Sequence, residues 1–171
     1  IVVSLTDGNE EIMLATREGK AIRFKEKEVR DMGRAAKGVR AVKLGRKDAV
    51  IGMVVARKEA ALLTVSEKGF GKRTPIEEYR LQSRGGKGII NIKTTEKTGL
   101  AVSIKMVADG DEVMIITEKG AIVRTPVKGI RTSGRSTQGV KVIDLKDTKD
   151  KVSAVASVAA EAGSASEEEQ N

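Results

Sequence analysis

Short apolar segments rich in β-branched residues alternate with polar, glycine-containing turns along nearly the whole chain. This alternation is typical of β-strands joined by tight turns, and the few segments long enough for a helix are interrupted by glycine or proline. The pattern recurs with a period of about 50 residues. The segments predicted as strands are residues 1–5, 12–16, 21–24 and 39–44 in the first period, 50–55, 62–65, 71–74 and 89–93 in the second, and 101–107, 113–117, 121–125 and 140–145 in the third.

Four short strands per period are typical of β-propeller blades, which bury their apolar faces against their neighbours. We therefore predict an all-β, propeller-like fold of three four-stranded blades over residues 1–160, with units at about 1–47, 48–98 and 99–149. Residues 150–158 repeat the start of a unit, and we expect this overhanging strand to complete a further blade. The acidic tail, 161–171, is expected to be disordered.

Three blades do not close a propeller, because four is the usual minimum. The chain begins at Ile1, within an apolar segment, so we expect it to be a piece of a longer protein. Exposed strand edges in such a piece favour self-association.

Glycine and arginine occupy matching positions in all three units. Gly19, Gly69 and Gly120 align the units at spacings of 50 and 51 residues. The arginines that follow at fixed offsets are Arg23, Arg73 and Arg124, then Arg30, Arg80 and Arg131, then Arg34, Arg84 and Arg135, and the last matching glycines are Gly38, Gly88 and Gly139. A scaffold needs repeated apolar residues and turns, but it does not need three arginines in every unit. The repeated arginines therefore indicate a function.

The composition narrows the possible functions. The chain has 32 basic and 24 acidic residues, a net charge of +8, and its tail from Glu161 carries four carboxylates and no base. A body this basic favours a polyanionic partner. The absence of Cys and His excludes disulfides, thiolate nucleophiles, imidazole bases and the usual zinc ligands. No apolar run reaches the length of a membrane-spanning helix, so we expect a cytoplasmic protein.

The sequence does not support three candidate catalytic or metal-binding sites. The glycine-rich residues 84–88 suggest a phosphate-binding loop, but Leu81 and Gly88 stand where a P-loop needs glycine and Ser or Thr. The pair Asp109/Asp111 is explained by the chemistry of a hairpin turn, so we predict no metal site there. Tyr79 stands where the other units carry Val29 and Ile130, and a position that accepts all three is a packing site.

The basic residues that remain favour binding to the DNA backbone. Arginine's planar fork suits phosphate oxygens, and glycine lets main-chain N–H groups approach a phosphate closely. The alternative is that the arginines brace neighbouring blades by pairing with carboxylates, above all Arg23, Arg73 and Arg124 at strand ends. The residues predicted to bind DNA are Arg30, Arg34, Lys37, Lys72, Arg73, Arg80, Arg84, Gly85, Gly86, Lys87, Arg124, Arg131 and Arg135.

Double-stranded DNA is the favoured form of this partner. Single-stranded nucleic acid stacks its bases on aromatic rings, and the chain has one tyrosine, two phenylalanines and no tryptophan. No recognition helix is predicted, so base-specific contacts are not expected. A row of phosphate contacts along a curved rim would instead bend duplex DNA of ordinary sequence.

Three segments resemble the C-terminal β-pinwheel domains found in the A subunit of DNA gyrase, a family of DNA-wrapping domains of bacterial type IIA topoisomerases. The resemblance covers residues 1–158 and rests on residues 32–40, 78–88 and 135–140. It implies that the chain is the last three blades of a domain of about six. Gln82-Ser83-Arg84-Gly85-Gly86-Lys87-Gly88 is similar to the family's wrapping motif, with Ser83 replacing an arginine, and it represents a degenerate copy.

The resemblance also implies the role of the domain in the whole enzyme, its partners and its location. Such a domain supports ATP-dependent supercoiling but has no catalytic residue, metal or cofactor of its own, because ATP and Mg²⁺ are used elsewhere in the holoenzyme. Its partners are double-stranded DNA, the rest of the gyrase A subunit and the gyrase B subunit, in the bacterial nucleoid. Two alternatives stay open: the equivalent domain of topoisomerase IV, and a propeller-like scaffold whose basic face binds an acidic protein.

Overall fold

The computed structural model describes residues 2–158, which form eleven β-strands and three short 3-10 helices. The 3-10 helices, Glu26–Glu28, Ile76–Glu78 and Val127–Gly129, each follow the second strand of a hairpin. This confirms the all-β prediction, while the predicted disordered tail lies outside the described residues. The strands are β1 (Glu11–Thr16), β2 (Lys20–Lys25), β3 (Val50–Ala56), β4 (Ala61–Ser66), β5 (Phe70–Pro75), β6 (Ile89–Ile90), β7 (Ala101–Val107), β8 (Glu112–Thr117), β9 (Ile122–Pro126), β10 (Val140–Lys141) and β11 (Val152–Val158).

Each unit contributes one hairpin, namely β1–β2, β4–β5 and β8–β9. The matching glycines Gly19, Gly69 and Gly120 lie in the hairpin turns with φ of +83°, +78° and +86°. Glycine adopts this left-handed conformation without the steric cost that a Cβ brings. Each period of about 50 residues in the sequence therefore corresponds to one hairpin in the structure.

The strands that flank each hairpin come from the next unit along the chain. The orders are β3-β1-β2-β6 in the first sheet, β10-β5-β4-β7 in the second and β11-β8-β9 in the third. The expectation that the four strands of one unit form one blade is thus corrected, because units exchange strands. The third sheet has three strands among residues 2–158 instead of the predicted four. The overhanging strand predicted at 150–158 is β11, but it pairs with β8 and so belongs to the third sheet instead of completing a further blade.

Two predicted strands of the first unit are absent from the described chain. Residues 2–5 and 39–44 have no strand conformation. Their counterparts in the later units, β3 with β6 and β7 with β10, pair with the hairpin of the preceding unit. Within residues 2–158 the first unit has no preceding hairpin, so these two segments have no sheet edge to join.

The exchanged strands define an inner and an outer edge of every sheet. The long strand β7 contacts both β3 and β11, so the three sheets converge on this side. The two-residue strands β6 and β10 lie at the opposite, outer edge of the first and second sheets.

Side chains on alternate positions of each hairpin strand point to opposite faces of its sheet, and neighbouring sheets pack face to face. Between the first and second sheets, Met13 and Ala15 pack with Leu62, Ile76 and Tyr79. Between the second and third sheets the buried contacts come from Leu63, Val65, Val113, Ile115 and Ile130. Tyr79 is only 1% exposed, which confirms its interpretation as a packing residue.

Candidate nucleic-acid interface

We define the glycine loops as residues 32–38, 82–88 and 133–139, which precede the outer-edge position of each unit. The loop at 82–88 is anchored to the first unit by two main-chain hydrogen bonds. The Gly85 N–H donates to the Ala41 carbonyl over 2.8 Å, and the Lys43 N–H donates to the Gly86 carbonyl over 2.8 Å. The predicted donation from the Gly85 N–H to a phosphate is therefore corrected, since this donor is already bonded within the chain.

The loop arginines are bound to the preceding unit. The Arg84 N–H donates to Glu28 Oε2 over 2.7 Å, its Nε donates to the Glu28 carbonyl over 3.1 Å, and its guanidinium also reaches the Arg40 carbonyl. The Arg135 N–H likewise donates to Glu78 Oε2 over 3.2 Å, and its guanidinium donates to the Ile90 carbonyl over 2.9 Å. Both arginines are half-buried. The bracing interpretation therefore describes these two side chains in the free protein.

Lys72 and Arg73 were predicted as DNA contacts, and their burial corrects this prediction. Lys72 is 0% exposed, and its Nζ donates to the carbonyls of Gly134 and Arg135, each over 2.6 Å. Arg73 is 9% exposed, pairs with Asp109 and donates from Nε to the Ile130 carbonyl over 2.7 Å. Neither cationic group is available to a phosphate, because each is enclosed between the second and third units.

Arg23 and Arg124 stand at the same position as Arg73 in their own units. Arg23 pairs with Glu11 and donates to the carbonyls of Ile76 and Tyr79 over 2.8 and 3.0 Å. Arg124 pairs with Glu112, and its side chain remains 61% exposed. This set of arginines forms a repeated brace, with a carboxylate on one side and, for Arg23 and Arg73, the next unit's 3-10 region on the other.

Exposed cations nevertheless surround the glycine loops. Of the predicted set, the glycines Gly85 and Gly86 are half-buried within the loop itself. The exposed basic residues of the predicted set, apart from Arg124, are Arg30, Arg34, Lys37, Arg80, Lys87 and Arg131.

Three exposed cations beside the loops were missed by the sequence prediction: Arg40, Lys43 and Lys93. The Lys43 main chain is bonded to Gly86, and the Lys93 N–H donates to the Thr137 carbonyl over 2.9 Å. Lys43 and Lys93 lie 50 residues apart. The recurrence of lysine at this position is a signal of the same kind as the recurrence of the arginines.

The third loop is less basic than the second. Gln138 stands at the position of Lys37 and Lys87, and Asp144 follows at the position of Lys43 and Lys93. The Lys141 ammonium lies 2.7 Å from Asp144 and lowers the pKa of that carboxyl by a hydrogen bond. The outer edge is therefore less positive beside the third loop than beside the first two.

Neither a cluster of metal ligands nor a membrane-spanning helix is found within residues 2–158. No group of three or more acidic side chains there is arranged to hold a metal ion. No helix in this part of the chain is long and apolar enough to cross a membrane.

Lys72 makes the free energy of unfolding depend on pH. Burial lowers the pKa of its ammonium from 10.5 to about 8. Between these values the unfolded chain holds a proton that the folded chain has lost, so this group makes the free energy of unfolding rise with pH. We expect the wild type to gain about 2 kcal/mol over Lys72→Met between about pH 8 and about pH 10, because each pH unit between the two pKa values contributes about 1.4 kcal/mol and the group is only half titrated at the lower end. Denaturant unfolding measures this gain, and a pH-independent difference would contradict it.

The antiparallel sheets exchange strands between units, meet at their inner edges and carry cations at their outer edges. This arrangement defines a partial β-propeller of the pinwheel type. The family description "DNA gyrase C-terminal domain, beta-propeller" matches residues 10–57, 60–108 and 111–159. The chain therefore belongs to the DNA gyrase C-terminal domain family. Each matched range runs from a hairpin through the exchanged strand that follows it, so it follows the sheets rather than the units predicted from the sequence.

Sequence identity to known proteins supports this family membership. The chain is 49% identical to the A subunit of DNA gyrase from Haloquadratum walsbyi over 86% of its own length and 17% of that protein. It is 48% identical to the A subunit of the Escherichia coli enzyme over 84% of its length and 16% of that protein. The chain thus spans about a sixth of the length of these relatives.

Two solved structures resemble the fold. The C-terminal domain of DNA topoisomerase IV superposes with a TM-score of 0.84 at 27% identity, covering 91% of this chain and 48% of that one. The DNA gyrase A C-terminal domain superposes with a TM-score of 0.81 at 26% identity, covering 87% of this chain and 50% of that one.

Proposed function

We propose that the chain is a non-catalytic DNA-binding and DNA-bending module of the A subunit of a DNA gyrase. It contributes to ATP-dependent negative supercoiling by an enzyme that also contains the rest of the A subunit and the gyrase B subunit. ATP and Mg²⁺ are used by other parts of that enzyme, which acts on the DNA of the cytoplasm. The observation that carries the proposal is the group of exposed cations around residues 82–88, at the outer edge of a member of this family.

The geometry favours phosphate contacts rather than contacts to bases. The bound loop arginines hold the glycine loops against the preceding unit, so that Lys87 and Lys43 are displayed on a braced surface. Lysine neutralises phosphate as a point charge and carries no sequence information by itself. Binding of this kind follows the backbone of the duplex and releases counterions.

The aromatic residues support duplex DNA over single strands. Phe24 is 2% exposed and Tyr79 is 1% exposed. Phe70 is half-buried, and the Lys97 ammonium lies 5.4 Å from its ring centroid. Two of the chain's three aromatic rings are thus unavailable for stacking on bases, which is the main contact of single-strand binding.

Salt dependence of binding tests the proposal. We expect two duplexes of unrelated sequence to bind the chain with similar affinity, with log affinity falling against log salt by about 0.9 per phosphate engaged. Fluorescence anisotropy at several salt concentrations measures both quantities. A slope near zero would overturn the proposal, and a preference for one of the two duplexes would show base contacts instead.

The charges beside the second glycine loop provide a sharper test. We expect Lys43→Ala/Lys87→Ala to lower duplex affinity about tenfold at moderate salt and to reduce the salt slope by about two, since each lysine lost removes a phosphate contact. The matched control is Lys58→Ala/Lys105→Ala, which removes the same charge from the β3–β4 turn and the inner strand β7. Equal losses for the two variants would mean that total charge, not the outer edge, determines binding.

A further inference from the structure

The third residue of the first two 3-10 helices binds a glycine loop of the next unit. Glu28 Oε2 accepts a hydrogen bond from the Arg84 N–H over 2.7 Å, and Glu78 Oε2 accepts one from the Arg135 N–H over 3.2 Å. The partners lie 56 and 57 residues apart in the chain. Arg84 and Arg135 occupy the same position of their units. The same contact between a carboxylate and a loop therefore forms twice, between matching residues.

The 3-10 helices do not need these carboxylates for their own backbone. Gly129 stands at the same position in the third unit. The helix there still has three residues, and it closes with a hydrogen bond from the Ile130 N–H to the Val127 carbonyl over 2.9 Å. The equivalent closing bonds in the other two units are 2.7 and 3.0 Å long. Glutamate is therefore not required by the turn, and its contact with the loop is what distinguishes the first two units.

A carboxylate beside a glycine loop opposes the binding of a polyanion by its charge. Glu28 and Glu78 are both exposed, and the loop that Glu28 contacts carries the exposed Lys87. A negative charge at such a place repels the phosphate backbone of DNA. Any favourable effect of Glu28 on DNA binding must therefore come from its hydrogen bond to the loop and not from its charge.

The second glycine loop is held by bonds to two different segments. Two main-chain hydrogen bonds join it to residues 41–43, which carry the exposed Lys43. Glu28 joins the same loop to the first 3-10 helix, because its carboxylate binds the Arg84 N–H and its carbonyl accepts a hydrogen bond from Arg84 Nε over 3.1 Å. Lys87 follows three residues after Arg84. The position of this lysine therefore depends on both sets of bonds.

The third glycine loop has further support. Two side chains of β5, Lys72 and Thr74, donate to its carbonyls over 2.6 and 2.9 Å. The first unit carries Ile22 and Phe24 at these positions, and neither side chain has a hydrogen-bond donor. The second loop therefore depends more on its glutamate than the third loop does.

We infer, on the basis of the proposed function, that Glu28 and, to a smaller extent, Glu78 are positioning residues for DNA binding. Each holds a glycine loop in the position from which the cations of that loop contact phosphates. Two carboxylates thus promote the binding of a polyanion. They act through the geometry of the loops and against the effect of their own charge.

Hydrogen exchange of the free chain, followed by NMR, tests the positioning without DNA. Gly85 is the reporter, because its N–H donates to the Ala41 carbonyl, an acceptor that a substitution of Glu28 does not remove. We expect Glu28→Ala to speed exchange of the Gly85 amide about fivefold or more, since the loop is held less firmly. Glu28→Gln keeps an acceptor oxygen and should stay within about twofold of the wild type. Unchanged exchange at Gly85 in Glu28→Ala would overturn the inference.

Duplex affinity, measured by fluorescence anisotropy at moderate salt, tests the effect on DNA binding. Glu28→Ala and Glu28→Gln remove the same negative charge and differ in whether an acceptor remains. We expect Glu28→Ala to lower the affinity about threefold and Glu28→Gln to keep or exceed the wild-type affinity. The charge control is Glu77→Ala, which removes an exposed carboxylate from the second 3-10 helix and should not lower the affinity. Equal affinities of the two Glu28 variants would overturn the inference.

The lysines beside the second loop show whether Glu28 acts through them. In the Lys43→Ala/Lys87→Ala background we expect Glu28→Ala to have no further effect on affinity, because the loop no longer presents these cations. A threefold loss that persists in this background would overturn positioning as its cause. A wild-type chain that binds no duplex would overturn the proposed function and the inference with it, whereas duplex binding that Glu28→Ala leaves intact would overturn the inference alone. Thermal unfolding establishes that all variants are folded.

Discussion

Arg73→Met is expected to lower the free energy of unfolding by about 3 kcal/mol. The guanidinium of Arg73 is enclosed between the second and third units, where Nε donates to the Ile130 carbonyl over 2.7 Å and the terminal nitrogens reach Asp109 and the Lys128 carbonyl. Methionine can fill part of the volume but leaves these acceptors without their donor. Equilibrium unfolding in denaturant, followed by circular dichroism, measures the loss.

The matched control for this substitution is Arg124→Met, at the same position of the third unit. The Arg124 side chain is 61% exposed and pairs with Glu112, a surface interaction. Such pairs contribute little, so we expect a loss below about 1 kcal/mol. If the two substitutions cost the same, the difference in stability does not come from bracing of the following unit.

Gly19→Ala is expected to destabilise the first sheet by about 3 kcal/mol. A Cβ on Gly19 would lie 2.3 Å from the Ile92 carbonyl oxygen, and the residue has a φ of +83°. The left-handed conformation costs an alanine roughly 1–2 kcal/mol, and displacing the main chain of Ile92 costs more. The Asn91 and Ile92 N–H groups both donate to the Gly19 carbonyl. We therefore expect loss of hydrogen-exchange protection at these two amides as well as a lower midpoint of thermal unfolding.

Gly120→Ala separates the cost of the left-handed backbone conformation from the cost of displacing a neighbouring main chain. Gly120 is the equivalent glycine of the third unit, with a φ of +86° but no atom within 4 Å of a Cβ. We expect it to cost about 1 kcal/mol, from the backbone conformation alone. Unfolding at several protein concentrations distinguishes the stability of one chain from any association. Equal costs for the two alanines would show that the close approach of Ile92 is relieved without loss.

Which basic residues face solvent was only partly predictable. Lys72 stands where the other units carry Ile22 and Val123. Two apolar counterparts indicate an inward position, by the argument that correctly assigned Tyr79 to packing, and the buried ammonium agrees with it. The loop arginines offered no such signal, because Arg84 and Arg135 are bonded to main-chain carbonyls of another unit. Main-chain acceptors are present at every residue, so a sequence does not indicate which of them will be near.

The pattern of apolar and polar positions determined the hairpins, their turns and their number, because a strand's alternation and a glycine's positive φ are local properties. It also determined the basic character of the chain. Only the tertiary structure decided that β3 and β6 leave their own unit to join the preceding sheet. The same packing decided that Arg73 is enclosed while Arg80 is exposed. Partners across sheets are chosen by the burial of whole faces and by edge hydrogen bonds between residues distant in the chain, and no local pattern contains that information.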